Sequence, residues 1–166
     1  MMRAKTYFHD EADRRTWQNP DVILAGIGVR PGGTFIDIGC GDGYFAIPAA
    51  KVVGEQGMVI GIDNDREALA RLEERAAAAG LRNVTLAHGD AEETIPCEAC
   101  ADVVFFGICL HDFRDPGQVL ANAIRMVKPE GILIDLDWKA EPMELGPPLR
   151  IRFPEEKAAG LIRGAG

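Results

Sequence analysis

Five short runs of mostly apolar residues punctuate the chain: Thr34-Phe-Ile-Asp-Ile38, Met58-Val-Ile-Gly-Ile62, Val84 to Ala87, Asp102-Val-Val-Phe-Phe106 and Ile132-Leu-Ile-Asp-Leu136. Their length and continuity predict strands buried on both faces. Longer stretches with helical character separate several of them. Tyr44 to Val53 is apolar enough for a buried helix, and Arg66 to Ala79 is rich in Ala, Leu, Glu and Arg, with Asp65 as N-cap and Gly80 as stop. Pro116 to Val127 has apolar residues at 119, 120, 123, 124, 126 and 127, and Pro129-Glu-Gly131 after it predicts a turn. Upstream, Pro20 and Asp21 open a short helix and Pro31-Gly-Gly33 turns the chain. Downstream, Pro147-Pro148 interrupts it, and a last helix runs from Pro154 to Ile162. Strands alternating with helices predict an α/β, doubly wound parallel sheet with right-handed crossovers.

Composition narrows this picture. The 166 residues, 47% of them hydrophobic and 27% charged, suit one domain that needs neither disulfides nor a metal site. The net charge of -8 disfavours nucleic acid as a partner. No run approaches the roughly 18 apolar residues of a membrane span, and the polar start from Arg3 to Asp21 lacks a signal-peptide core, so a cytoplasmic protein is expected. Cys40, Cys97, Cys100 and Cys109 are expected as free thiols. Cys97 and Cys100 have metal-ligand or redox spacing but no second pair, and they read as loop or partly buried thiols. His9 and His88 stand without a pattern, and Glu92-Glu93 and the charges from Arg71 to Arg75 read as solvated faces.

In such a sheet, ligands sit at the carboxyl ends of the strands, beside the first. There Gly39-Cys-Gly-Asp-Gly43 frees the backbone to turn tightly, and the N-terminus of the next helix offers N–H groups to an anionic group. The spacing is Gly-x-Gly-x-Gly, with Tyr44 where a dinucleotide fingerprint needs glycine, which counts against a nicotinamide oxidoreductase. Asp63 ends the second strand, where a carboxylate accepts from both hydroxyls of a ribose. Asp90, in Gly89-Asp-Ala91, is placed to accept from an adenine amino group. His111-Asp112 follows the fourth strand, where an imidazole serves as general base or as a hydrogen-bonded structural residue.

Phe35-Ile-Asp-Ile-Gly-Cys-Gly-Asp-Gly43, Val59-Ile-Gly-Ile-Asp63, Gly89-Asp-Ala91 and Val127-Lys-Pro-Glu-Gly131 resemble successive motifs of the class I, Rossmann-like methyltransferases. Within that class the chain is similar to the broad group that includes the ubiquinone and menaquinone biosynthesis methyltransferases. The resemblance implies strand order 3-2-1-4-5 and S-adenosylmethionine as cofactor. It assigns Asp37 and the loop of Gly39, Cys40, Gly41, Asp42 and Gly43 to the methionine part. Asp63, with Asn64 beside it, goes to the ribose, and Asp90 with Ala91 to the adenine. Phe106 and Gly107 border the reaction site, with His111 and Asp112 as candidate catalytic residues. One domain over 1–166 then divides into an N-terminal helical lid segment (1–30), a cofactor-binding core (31–138) and a short C-terminal helical segment (139–166). The lid is expected between Tyr7 and Asn19, with Tyr7, Phe8, Arg14, Arg15 and Trp17.

Relatives of this class usually continue into a C-terminal antiparallel hairpin, for which no residues remain after the fifth strand. Strand 132–136 is then an edge, expected to pair in a homodimer or to lie under the C-terminal segment. The acceptor is expected to be a small molecule, with a protein second and RNA third. A non-catalytic S-adenosylmethionine-binding or scaffold protein is the main alternative.

Overall fold

The structure, a computed structural model, describes residues 10–166; the expectations for Tyr7, Phe8 and His9 lie outside the described residues. Two short helices, α1 (Glu11–Trp17) and α2 (Pro20–Gly26), precede β1 (Thr34–Ile38), α3 (Ala46–Val53), β2 (Met58–Asp63), α4 (Arg66–Ala78) and β3 (Val84–His88). Then come β4 (Ala101–Gly107), a 3-10 turn at Leu110–Asp112, α5 (Pro116–Met126), β5 (Val127–Leu136), a second 3-10 turn at Leu149–Ile151, and α6 (Glu155–Ala165). The sheet has five strands in the order β3-β2-β1-β4-β5, every pair parallel.

The strands are apolar on both faces because helices cover both. Phe35, Val59, Val103 and Phe105 form one core with α3 and α4, while Ile36, Ile38, Ile60, Ile62, Val104 and Phe106 form the other with α5. Helix α6 adds Leu161, Ile162 and Ala165 to this second core. Start signals act as expected. Asp65 Oδ1 accepts from the backbone N–H of Glu67 and Ala68, and Asp115 Oδ1 accepts from Gln118 N.

The turn expected at Pro129–Gly131 lies instead inside β5. Ala101 pairs with Val127 and Val103 with Ile132, so Lys128 to Gly131 bow out of register opposite Asp102. Asp102 holds the irregularity by accepting from Lys128 Nζ at 2.9–3.0 Å and from Thr34 N at 2.7 Å. The helix expected from Tyr44 begins at Ala46, and Tyr44, in the turn before it, donates its hydroxyl to Gln18 O.

Past β5 the chain forms a strap, residues 139–151, organised by one side chain. The Arg152 guanidinium, 6% exposed, donates to Pro147 O, Glu141 O and Leu145 O at 2.8–3.0 Å and to Lys139 O at 3.3 Å. It also lies 5.6 Å from the Trp138 ring centroid, and Trp138 packs on Trp17 of α1 with centroids 5.1 Å apart. Truncating Arg152 to Ala leaves these carbonyls without their donors, at a cost of about 2 kcal/mol. The chain has two tryptophans, so their coupled circular-dichroism signal reads the strap directly. That signal is expected to collapse in Arg152→Ala, and an unchanged signal would show that the guanidinium does not hold the strap.

Candidate functional site

The glycine loop leaves β1 at the centre of the sheet. Gly39 N and Cys40 N both donate to Ile62 O of β2 at 2.8 and 3.1 Å, folding the loop back over the strand ends. Gly41 N donates to Asp63 Oδ2 at 2.7 Å, while Asp63 Oδ1 accepts from Asp65 N at 2.9 Å. Each Asp63 oxygen therefore keeps a lone pair for a further donor. Gly41 sits at φ 53° with open space where a side chain would be, and Gly43 at φ 96° lies against Leu72 and Ile47. Cys40 packs its Sγ over Gly61 and donates to Gly41 O at 3.7 Å, and burial pushes the thiol pKa up.

Beneath the loop, Asp37 is 2% exposed. Burial, reinforced by the neighbouring Asp63 charge, raises its pKa to about 8 against the opposing pull of Arg14 and of the Ala46 N–H. That N–H belongs to the first residue of α3. The helix N-terminus expected to meet an anionic ligand group is thus already engaged, with Ala46 N facing Asp37 and Ile47 N bonded to Gly43 O. The ends of β1 and β2 present carboxylates, a setting for cations and hydroxyl donors rather than phosphate.

Helix α1 lies over this loop. Arg14 sets its guanidinium 3.7 Å from the Tyr44 ring centroid and donates to Gln18 Oε1, and the Tyr44 hydroxyl donates to Gln18 O. Arg75 of α4 ties the same region together, bonding Glu11 Oε2 at 2.8 Å and Asp42 O at 3.0 Å. Arg75 is therefore a cross-brace rather than part of a solvated face. Asp42, also within 3.5 Å of Arg75, is drawn toward α4. Arg15 pairs with Asp21.

The other residues singled out in the sequence are distributed unevenly. Asp90, exposed, caps its own turn by accepting from Glu92 N with Oδ1. Ala91 is buried against the second core, and Asn64 is exposed beside Asp63 with its carbonyl 3.2 Å from His88 Nε2. The Phe106 ring is fully buried and packs edge-on to Phe113, so the residue meets the site only through its backbone. A Cβ on Gly107 would meet the Phe45 and Phe105 rings at 2.9–3.0 Å. Glu92, expected in solvent, is 8% exposed and accepts from Arg114 Nη2 and Asp115 N, an arrangement that only the fold brings together.

At the ends of β4 and β5 lies a group the sequence showed only in part. His111 Nδ1 is 2.8 Å from both carboxylate oxygens of Asp137, and its side chain is 3% exposed. Its Nε2 lies 3.5 Å from Asp112. Burial pushes the His111 pKa down, but the bond to Asp137 and the surrounding carboxylates prevail and raise it. Asp135 is driven up to about 7 by burial and by the Asp137 charge, with His111 opposing. Ile108, a β-branched residue at φ 58°, swings the chain at the end of β4 while its N–H holds Leu136 O. Cys109 then packs against Gly39, donating its thiol to Ile38 O and joining the His111 group to the glycine loop. Asp135 and Asp137 were legible only as acids at the end of an apolar run.

Cys97 and Cys100 are bonded to each other as a disulfide, where free thiols were expected. The loop between β3 and β4 closes on itself there, with Ala99 at φ 45° and its N–H bonded to Arg125 O. Cys40 and Cys109 are free.

A doubly wound 3-2-1-4-5 sheet, with a glycine loop after β1 and carboxylates at the ends of β1 and β2 and just after β3, defines the class of Rossmann-like S-adenosylmethionine-binding folds. A methyltransferase-domain family profile matches residues 30–145, and the chain belongs to that family, whose cofactor is S-adenosylmethionine. It is 36% identical over 109 residues to a demethylmenaquinone methyltransferase of Shouchella clausii, an alignment covering 66% of this chain and 46% of that protein. A Bacillus cereus protein of the same name is 35% identical over 118 residues, covering 71% and 49% respectively. The chain spans about half the length of these curated relatives. A crystal structure of a SAM-dependent methyltransferase from Aquifex aeolicus superposes with a TM-score of 0.86 at 26% identity, over 96% of this chain and 89% of that one. The donor set fits the cofactor: its methionine end is cationic and its ribose carries hydroxyls, and the site offers Asp37 and the free lone pairs of Asp63.

Proposed function

We propose that this domain transfers the methyl group of S-adenosylmethionine to a small-molecule acceptor held over the ends of β4 and β5. The observation that carries the reading is the row of carboxylates at the ends of β1, β2 and β3 around a loop in which the Gly39, Cys40, Gly41 and Gly43 N–H groups are bonded within the protein. Asp63 takes the ribose hydroxyls, Asp90 Oδ2 with the Ala91 backbone takes the adenine, and Asp37 takes the amino group of the methionine end. Arg14, beside Asp37, balances the carboxylate of that end. The cofactor supplies a methyl group activated on a sulfonium.

The chain itself supplies alignment and exclusion of water, with α1 over the loop, and a polar group at the acceptor side. His111 is fixed in orientation by Asp137, which suits it to stabilise a nearby proton transfer. The name carried by the menaquinone-type relatives is not extended to this acceptor, because the shared region is only about half of each.

Calorimetric titration with S-adenosylmethionine and S-adenosylhomocysteine tests the cofactor site. Micromolar binding, about -8 kcal/mol, is expected for wild type. Asp63→Ala loses ribose contacts and the Gly41 anchor, so binding should weaken by about 100-fold, equivalent to roughly 3 kcal/mol. Equal affinity in both proteins would remove Asp63 from the site, and no binding to the folded wild type would leave a scaffold role as the better account.

A further inference from the structure

Among the described residues, one buried side-chain oxygen has no hydrogen-bond partner: Asp135 Oδ1, near the end of β5. Buried polar groups in folded proteins are almost always paired, so an orphan beside a proposed reaction site calls for a ligand atom. Its surroundings exclude a partner from the chain. Asp137 is the acid whose charge acts on it, and the Asp137 oxygens are taken by His111 Nδ1 and Trp138 N. His111 is committed to Asp137 through Nδ1 and faces Asp112 through Nε2.

The sheet register places the orphan. Asp135 pairs with Phe106 of β4, and Phe106 pairs with Ile38, the last residue before the glycine loop. Asp135 therefore stands in the row that ends beside the cofactor loop, two strands across from it. Cys109, which packs against Gly39, feels the charges of Asp37, Asp137, Asp135 and Asp112 together, so the loop and this acid group share one neighbourhood.

We propose that Asp135 Oδ1 is the acceptor-facing proton acceptor of the methyl-transfer site, and that the site takes a small molecule that presents an amine nitrogen to it. The inference rests on the methyltransferase reading above. Three carboxylates, Asp112, Asp135 and Asp137, surround His111, a balance that attracts an amine and repels an anion. In the reaction, the nitrogen–methyl bond forms as the methyl–sulfur bond breaks, and sulfur keeps the bonding pair. The proton of the nitrogen passes to Asp135 Oδ1. His111, fixed by Asp137, is a positioning residue that keeps the carboxylate charge in place.

Sinefungin tests this without knowledge of the acceptor, because an amine-bearing carbon replaces the methyl-bearing sulfur in an otherwise similar molecule. Its amine should meet Asp135, so wild type at about pH 8.5, where Asp135 is ionised, should bind sinefungin about 10-fold more tightly than S-adenosylhomocysteine. Asp135→Asn should abolish that preference and leave the S-adenosylhomocysteine affinity unchanged, which also reports that the variant is folded. Equal affinities for the two ligands in wild type, or a preference that survives in Asp135→Asn, overturn the proposal. Failure of wild type to bind S-adenosylhomocysteine at all is a different result, and it counts against the cofactor site rather than against Asp135.

Discussion

Gly43→Ala is expected to lower stability by about 3 kcal/mol, a fall of roughly 6–12 °C in melting temperature for a chain of this size, and to weaken cofactor binding at least tenfold. Two costs add. The backbone at φ 96° lies where an L side chain is strained, worth about 1 kcal/mol. The new Cβ would also sit 2.3 Å from Leu72 Cδ1 and 3.1 Å from Ile47 Cγ1, and Leu72 is fully buried, so its displacement disturbs the α3–α4 core by about 1–3 kcal/mol. Gly43 also links loop and helix, donating to Cys40 O and accepting from Ile47 N. A shift there moves the peptide that presents Gly41 to Asp63. Gly54→Ala is the matched control: φ is 67°, but nothing lies within 4 Å of the added carbon. It should cost about 1 kcal/mol and leave affinity unchanged. Equal behaviour of the two variants in thermal melts and titrations would contradict the packing argument.

The sheet was legible because its strands are buried on both sides, which leaves runs such as Val103 to Phe106 apolar at consecutive positions. The loop was legible for a related reason, since three glycines in five residues mark backbone that side chains would obstruct. What escaped depends on partners distant in sequence. Glu92 looks solvated until Arg114 and the Asp115 N–H arrive from the start of α5. Arg75 looks like surface until α1 and the glycine loop meet it. Arg152 satisfies carbonyls of a segment without periodicity, so no pattern announced it. The start of β5 escaped because Pro129 and Gly131 ordinarily end an element, whereas here they lie in a bow that Lys128 and Asp102 pin. His111 was identified as a candidate base, but its partner Asp137 follows only from the β4–β5 register.

The pH dependence of the ligand-free protein should be dominated by a group that the sequence assigned only to ligand contact. Asp37 has its pKa raised from 3.8 to about 8, chiefly by burial. A raised acid favours the folded state least when ionised: below about pH 4 both states carry the proton and no penalty exists. Between about pH 4 and 8 the unfolded chain ionises while the folded one does not, so stability falls with rising pH, by up to about 5 kcal/mol, and then levels off. Asp135, raised to about 7, and His111, also raised, slope the same way, so the test is a comparison. Asp37→Asn should flatten the denaturation profile over that window and gain stability relative to wild type at about pH 9. The cofactor reverses the situation. A cationic amino group brought to Asp37 favours its ionised form, so binding near pH 6.5 should release about one proton, seen as a binding enthalpy that tracks the ionisation enthalpy of the buffer. Near pH 9.5, where Asp37 is already ionised and the free amino group has lost its proton, the release should give way to proton uptake, and in Asp37→Asn the release near pH 6.5 should be absent while affinity falls. Parallel stability profiles for the two proteins, or a buffer-independent enthalpy in wild type near pH 6.5, would mean that Asp37 does not exchange its proton for the cofactor's charge.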